Sequence, residues 1–200
     1  MYPTIKSFIV IVLIFILTPI NGCSSASQYA SSVKEFSCLN QMQKIRIPGT
    51  PGITMNTTHC EDYIFKEQKL AQAITLFVEE YADMFDIKEI EVWEMLRGLH
   101  IEVSAIPRTV SAAFDIKGKP VTNVPVSGLA FSTKHIWVEI TTSQIWSTSL
   151  THELVHVIVW VQNSGVHGDP DHEGSKFSGW DKEHTAFIKR FNQNLLENDI

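Results

Sequence analysis

His152-Glu153-Leu154-Val155-His156 sets two imidazoles four places apart, with one carboxylate between them, inside a stretch that is otherwise uncharged. On an α-helix, residues four apart lie about 40° apart in azimuth and about 6 Å apart along the axis, so both rings can point at one metal ion. Glu153 lies one step round the helix. From there its carboxylate is poorly placed to join the same coordination sphere, but it can reach a water in the open metal position and take its proton. Ser149, Leu150, Thr151, Leu154, Val155, Val157 and Ile158 are all uncharged, as a helix buried beneath a metal site requires. An ordinary core helix gives no reason for an ionisable Glu between two His in so apolar a segment.

These residues resemble the active-site helix of the zincin superfamily of metallopeptidases, which carries uncharged residues at the same places. The resemblance is secure over about ten residues around the motif, with weaker signs from Leu129 to His184. It implies an α+β, zincin-like single domain: a small mixed sheet with an edge strand beside the motif helix, plus flanking helices. It also implies Zn2+ as cofactor and hydrolysis of peptide bonds as the activity.

A catalytic zinc takes three protein ligands and keeps one exchangeable position. A metzincin would continue the motif with Gly at 159 and His at 162, but Val159 and Gln162 stand there. A gluzincin would draw a Glu from a later helix, and Glu183 fits loosely. The segment His167-Gly168-Asp169-Pro170-Asp171-His172-Glu173-Gly174 offers more. His172 is preferred as third ligand, because the Gly-Asp-Pro turn can return the chain to the metal and Asp171 and Glu173 flank the ring as orienting carboxylates. His167, Asp171, Glu173 and Glu183 remain alternatives. The expected chemistry is zinc held by His152, His156 and His172, with Glu153 as general base passing a proton from water to the leaving amine. His184 or His167 is a candidate oxyanion donor, and Trp180 a candidate wall of the cleft.

Residues 1–22 carry one charge, Lys6, and an apolar run from Phe8 to Ile20 that is short for a membrane span and suits a signal-peptide core. Ile20-Asn21-Gly22-Cys23 resembles a bacterial lipobox, although Asn21 departs from its usual small or aliphatic residue. The expected organisation is therefore signal peptide 1–22, lipidated Cys23 with a Ser-rich tether over 23–37, and a catalytic domain over 38–200. Simple cleavage near Ala26, giving a secreted protein, is the alternative. Lipidation implies a membrane-anchored protein facing the periplasm or the cell exterior.

The formal charge of −6 argues against a nucleic-acid partner. With Cys23 assigned to the lipid, Cys38 and Cys60 remain, and an oxidising compartment favours their pairing, worth about 3 kcal/mol on chain-entropy reasoning. Peptide or protein is the expected substrate; the sequence is silent on oligomeric state. Two other functions fit the same residues: a non-catalytic zincin-like binding lipoprotein, and a zinc amidase acting on cell-wall peptides.

Along the chain, Pro48-Gly49-Thr50-Pro51-Gly52 predicts a loop, and Asn56-Thr57-Thr58 predicts further turn chemistry. Apolar spacing predicts helices over 61–84, 88–97 (stopped by Gly98), 147–162 and 182–197. Strands are expected over 99–106, 112–116 and 135–140, the last with Ile136, Val138 and Ile140 on one side. The substrate-pairing edge strand is expected between residues 129 and 140.

Overall fold

A computed structural model describes residues 44–57, 65–105, 107–110, 113–114, 120–121, 124–163 and 179–200. The expected signal segment, tether, Cys23, Cys38 and Cys60 lie outside the described residues.

Among the described residues four helices are formed: α1 (Glu67–Met84), α2 (Glu89–Leu96), α3 (Leu150–Gln162) and α4 (Lys182–Glu197). The main sheet contains β1 (Ile45–Arg46), β2 (Thr54–Thr57), β3 (His100–Ser104), β8 (Gly128–Ser132) and β9 (His135–Glu139), in the order β1-β2-β3-β9-β8. Between β3 and β8 the chain makes a small antiparallel excursion: β4 (Arg108–Val110) pairs with β7 (Val124–Val126), and β5 (Ala113–Phe114) with β6 (Pro120–Val121). The molecule is thus α+β, with a mixed five-stranded sheet and a small hairpin. β2, β3 and β9 run parallel, and β1 and β8 close the two edges antiparallel to their neighbours.

Alternation sets which strand residues face the helices, since successive side chains of a strand point to opposite sides. Met55, Ile101, Val103, Ile136 and Val138 are 0% exposed and join the helices in one core. Each such residue contributes about 1.5–3 kcal/mol through burial. Leu70, Ile74, Phe77, Val78 and Tyr81 recur at helical spacing along α1 and supply its buried stripe. Phe187, Phe191 and Leu195 do the same on α4, where Phe77 meets Phe187 and Phe191 edge-on at 5.4 and 5.6 Å.

Helix α3 is held differently. Val155, Val157, Ile158, Val159 and Val161 are β-branched and poor helix formers. Nine of its thirteen residues are buried, so tertiary packing, rather than local propensity, keeps it helical. It lies against β8 and β9 on one flank and α4 on the other, where Thr151 Oγ1 donates to Asn192 Oδ1 at 2.6 Å.

The predicted helices over 88–97 and 182–197 match α2 and α4 closely, and Gly98 at φ +71° ends α2 as a left-handed stop. The helix expected over 61–84 begins at Glu67; residues 61–64 lie outside the description. The helix expected to start at 147 instead begins at Leu150, after a 3-10 turn over Ile145–Ser147. The turn expected at Asn56 and Thr57 is a correction: both belong to strand β2, opposite Glu102 and Val103 of β3. Pairing across the sheet overrides the local turn preference of Asn and Thr. The strand expected over 112–116 is described only as Ala113–Phe114.

Candidate metal centre on helix α3

His152 is N3 and Glu153 is N4 of α3, so all three motif residues fall within the first two turns. The Nε2 atoms of His152 and His156 are 3.1 Å apart, with ring centroids separated by 4.8 Å and planes crossed at 68°. Two imidazoles on a tetrahedral zinc, each at about 2.0–2.1 Å, would hold their nitrogens about 3.3 Å apart. The pair therefore fits a zinc ion by separation and by donor type. The same spacing also lets one Nε2–H donate to the other ring in the metal-free pair.

Trp180 covers this pair. Its ring lies 5.2 Å from His152 and 4.8 Å from His156, and its Nε1 donates to Thr185 Oγ1 at 3.1 Å. Only 3% exposed, Trp180 is a core residue packed directly on both candidate ligands.

Glu153 is 0% exposed. Its side chain runs back toward the helix N-terminus, as helix geometry directs, and meets strand β8 at Gly128. A Cβ on Gly128 would stand 2.8 Å from Glu153 Cδ, and closer still to Glu153 Oε1 and Ser149 Oγ. Ser149, the N-cap of α3, makes no side-chain cap; its hydroxyl donates instead to the Ser127 carbonyl. Among the described residues strand β8 is one of the two antiparallel edges of the main sheet; it lies beside α3 and overlaps the 129–140 segment expected to supply an edge strand. Strand β9, the clearest strand in the sequence, is interior, between β3 and β8.

The other sequence candidates are distributed unevenly. His172, His167, Asp171 and Glu173 lie outside the described residues. Among the described residues, no group of three His, Cys, Asp or Glu is placed to hold a metal ion, so Glu183 is not brought to the histidine pair; it is exposed at the start of α4. Residues 164–178 leave from Asn163 and return to Gly179, and these two ends touch: a Cβ on Gly179 would overlap the Asn163 side chain. The next residue is Trp180, already on the histidine pair.

His184, the candidate oxyanion donor, is buried and engaged at both nitrogens. Nδ1 is 2.8 Å from Asp181 Oδ1 and 3.2 Å from the Asp181 backbone nitrogen, while Nε2 is 3.1 Å from the Tyr81 hydroxyl. Together Asp181 and His184 form a capping box at the start of α4. Burial, reinforced by the Asp181 charge, pushes the Tyr81 phenol well above its ordinary range. This committed cluster offers no spare N–H to a substrate oxygen, which favours a packing role for His184.

A second group of titratable residues sits on the opposite face of the sheet. His100 and His135 are directly opposite on β3 and β9, with ring centroids 5.3 Å apart. His100 Nδ1 is 3.0 Å from Thr54 Oγ1, and His135 Nε2 is 3.4 Å from Glu102 Oε2. Glu102 also accepts from Arg108, whose guanidinium lies 4.8 Å over the Trp137 ring and 5.4 Å over Phe131. Burial pushes the Glu102 carboxyl up, but the contacts to His135 and Arg108 outweigh it and hold the group below its ordinary value. Burial, with help from His135 and Lys44, pushes His100 down.

Sequence reasoning did not find Gly128, Ser127 or the His100–His135–Glu102–Arg108 cluster. Each depends on strand register, and no local pattern in the chain announces it. Comparison with protein-family models, curated proteins and solved structures finds no match.

Proposed function

We propose that this chain is an extracytoplasmic zinc-dependent metallopeptidase of zincin type, exported by its N-terminal segment and anchored through a lipid on Cys23. The observation that carries the reading is the convergence of His152 and His156, Nε2 to Nε2 at 3.1 Å, on a helix that also bears a buried Glu153. An antiparallel edge strand beside that helix supports it further.

His152 and His156 would hold the metal, with His172 the expected third ligand from the segment that leaves Asn163 and returns at Gly179. When bound, zinc supplies a Lewis acid that polarises a carbonyl and lowers the pKa of water toward neutrality. Glu153 is the group assigned to move the proton, from water to the departing amide nitrogen. The outer backbone groups of β8 suit pairing with an extended peptide, which would lie along the same strand that meets Glu153. Trp180 packs on both imidazoles and excludes water from that side.

The test is Glu153→Gln in the full-length, detergent-solubilised protein. Zinc content should stay at the wild-type level while chelator-sensitive cleavage of an unstructured protein falls about 10²–10⁴-fold. Full activity in that variant would remove Glu153 from its role. Zinc without cleavage in the wild type would favour the binding lipoprotein, and cleavage confined to cell-wall peptides the amidase.

A further inference from the structure

Gly128 is a glycine with no conformational reason to be one. It is absent from the residues at positive φ and sits in the regular ladder of β8, paired with Val138. Inside a strand, glycine weakens the sheet through backbone entropy and gives no side chain to pack, so its usual justification is a close approach by another group. Here the approaching group is the Glu153 carboxylate, with Ser149 Oγ beside it.

We infer that Gly128 is a positioning residue: the missing methyl forms the seat in which the Glu153 carboxylate rests against the edge strand. The walls of the seat are fixed from two sides. Ser149 ties the start of α3 to the Ser127 carbonyl, and the same carbonyl accepts from the Glu139 backbone N–H at 2.8 Å, locking that residue to β9. The helix therefore has little freedom to retreat from a side chain added at 128. Because β8 is also the strand suited to hold substrate, one backbone would fix both the peptide and the carboxylate that serves it. This inference rests on the reading of Glu153 as the proton-moving group.

The experiment is a melting and kinetic cycle on the full chain with Gly128→Ala, Glu153→Ala, Ser149→Ala and the two doubles that contain Gly128→Ala. Gly128→Ala should lower the melting temperature by about 5 °C or more through overpacking. It should lower kcat at least about tenfold with KM held within about twofold and zinc content unchanged, because the carboxylate is displaced while ligands and peptide strand remain. Adding Glu153→Ala should restore at least half of the lost melting temperature, and at least as much as adding Ser149→Ala does. If Gly128→Ala does not fold, recovery of a cooperative melt by Glu153→Ala supports the seat and failure to recover overturns it. Wild-type kcat in Gly128→Ala, or a melting loss that Glu153→Ala leaves intact, also overturns it. The melting cycle is read on metal-free protein, so it judges the seat even where absent zinc or absent cleavage in the wild type defeats the functional reading.

Discussion

Two pairs of histidines sit on opposite sides of the main sheet, at almost the same ring separation: 4.8 Å for His152 and His156, 5.3 Å for His100 and His135. On α3 the two Nε2 atoms converge beneath a tryptophan, on the helix that also bears the buried Glu153. Across β3 and β9 the rings turn to different partners, His100 to Thr54 and His135 to Glu102. Proximity of imidazoles is therefore weak evidence of a metal site; what distinguishes the helical pair is that one nitrogen of each ring aims at a common position.

The sharpest way to break this contrast is to remove one ring from each pair. His156→Ala should weaken zinc binding beyond the roughly 10–100-fold cost of losing an outer partner of a ligand, and cleavage should fall with it. His135→Ala should leave zinc stoichiometry and cleavage at wild-type levels. Metal analysis of both variants decides the matter; equal zinc loss in the two would erase the distinction.

A smaller effect is expected in stability. Zinc at 1,000 times its dissociation constant should add about 4 kcal/mol to the folded state, seen as a fall in melting temperature on chelation. The fall should vanish in His152→Ala and persist in His100→Ala.

The outer pair should announce itself by acid sensitivity. Glu102 is held below the ordinary Glu value of 4.5, so the folded state binds its proton less readily than the unfolded chain does. Its contribution is then complete above about pH 4.5 and lost as pH falls through the lower folded value. Glu102→Gln should cost about 1–3 kcal/mol at neutral pH, because Arg108 keeps its burial and loses its carboxylate. The variant should also show a flatter decline in melting temperature below pH 4.5 than the wild type. An unchanged acid slope would show that Glu102 carries no such linkage.

Much of the scaffold was legible because its signals are local. The stripe from Leu70 to Tyr81 and the Gly98 stop each act within a few helical turns, and each helix they mark is present. The motif pair was legible for the same reason, since a four-residue spacing becomes proximity on any helix. Asn56 and Thr57 misled because their turn preference is worth less than a full ladder to β3. Strand β8 was only bracketed: its edge position depends on its pairing with β9, and a one-residue slip would present the opposite set of side chains.

The chain by itself determined which residues could share a helix face, where helices stop, and that an acid stands between two imidazoles in an apolar run. Only the tertiary structure decided that those imidazoles converge, that Trp180 packs over both of them, and that Glu153 is received by a strand position with no side chain. The physical reason is separation along the chain. Helical periodicity is carried by neighbouring residues, whereas the approach of Gly128 to Glu153, or of His100 to His135, is fixed by hydrogen-bond register and packing between segments that no local pattern relates.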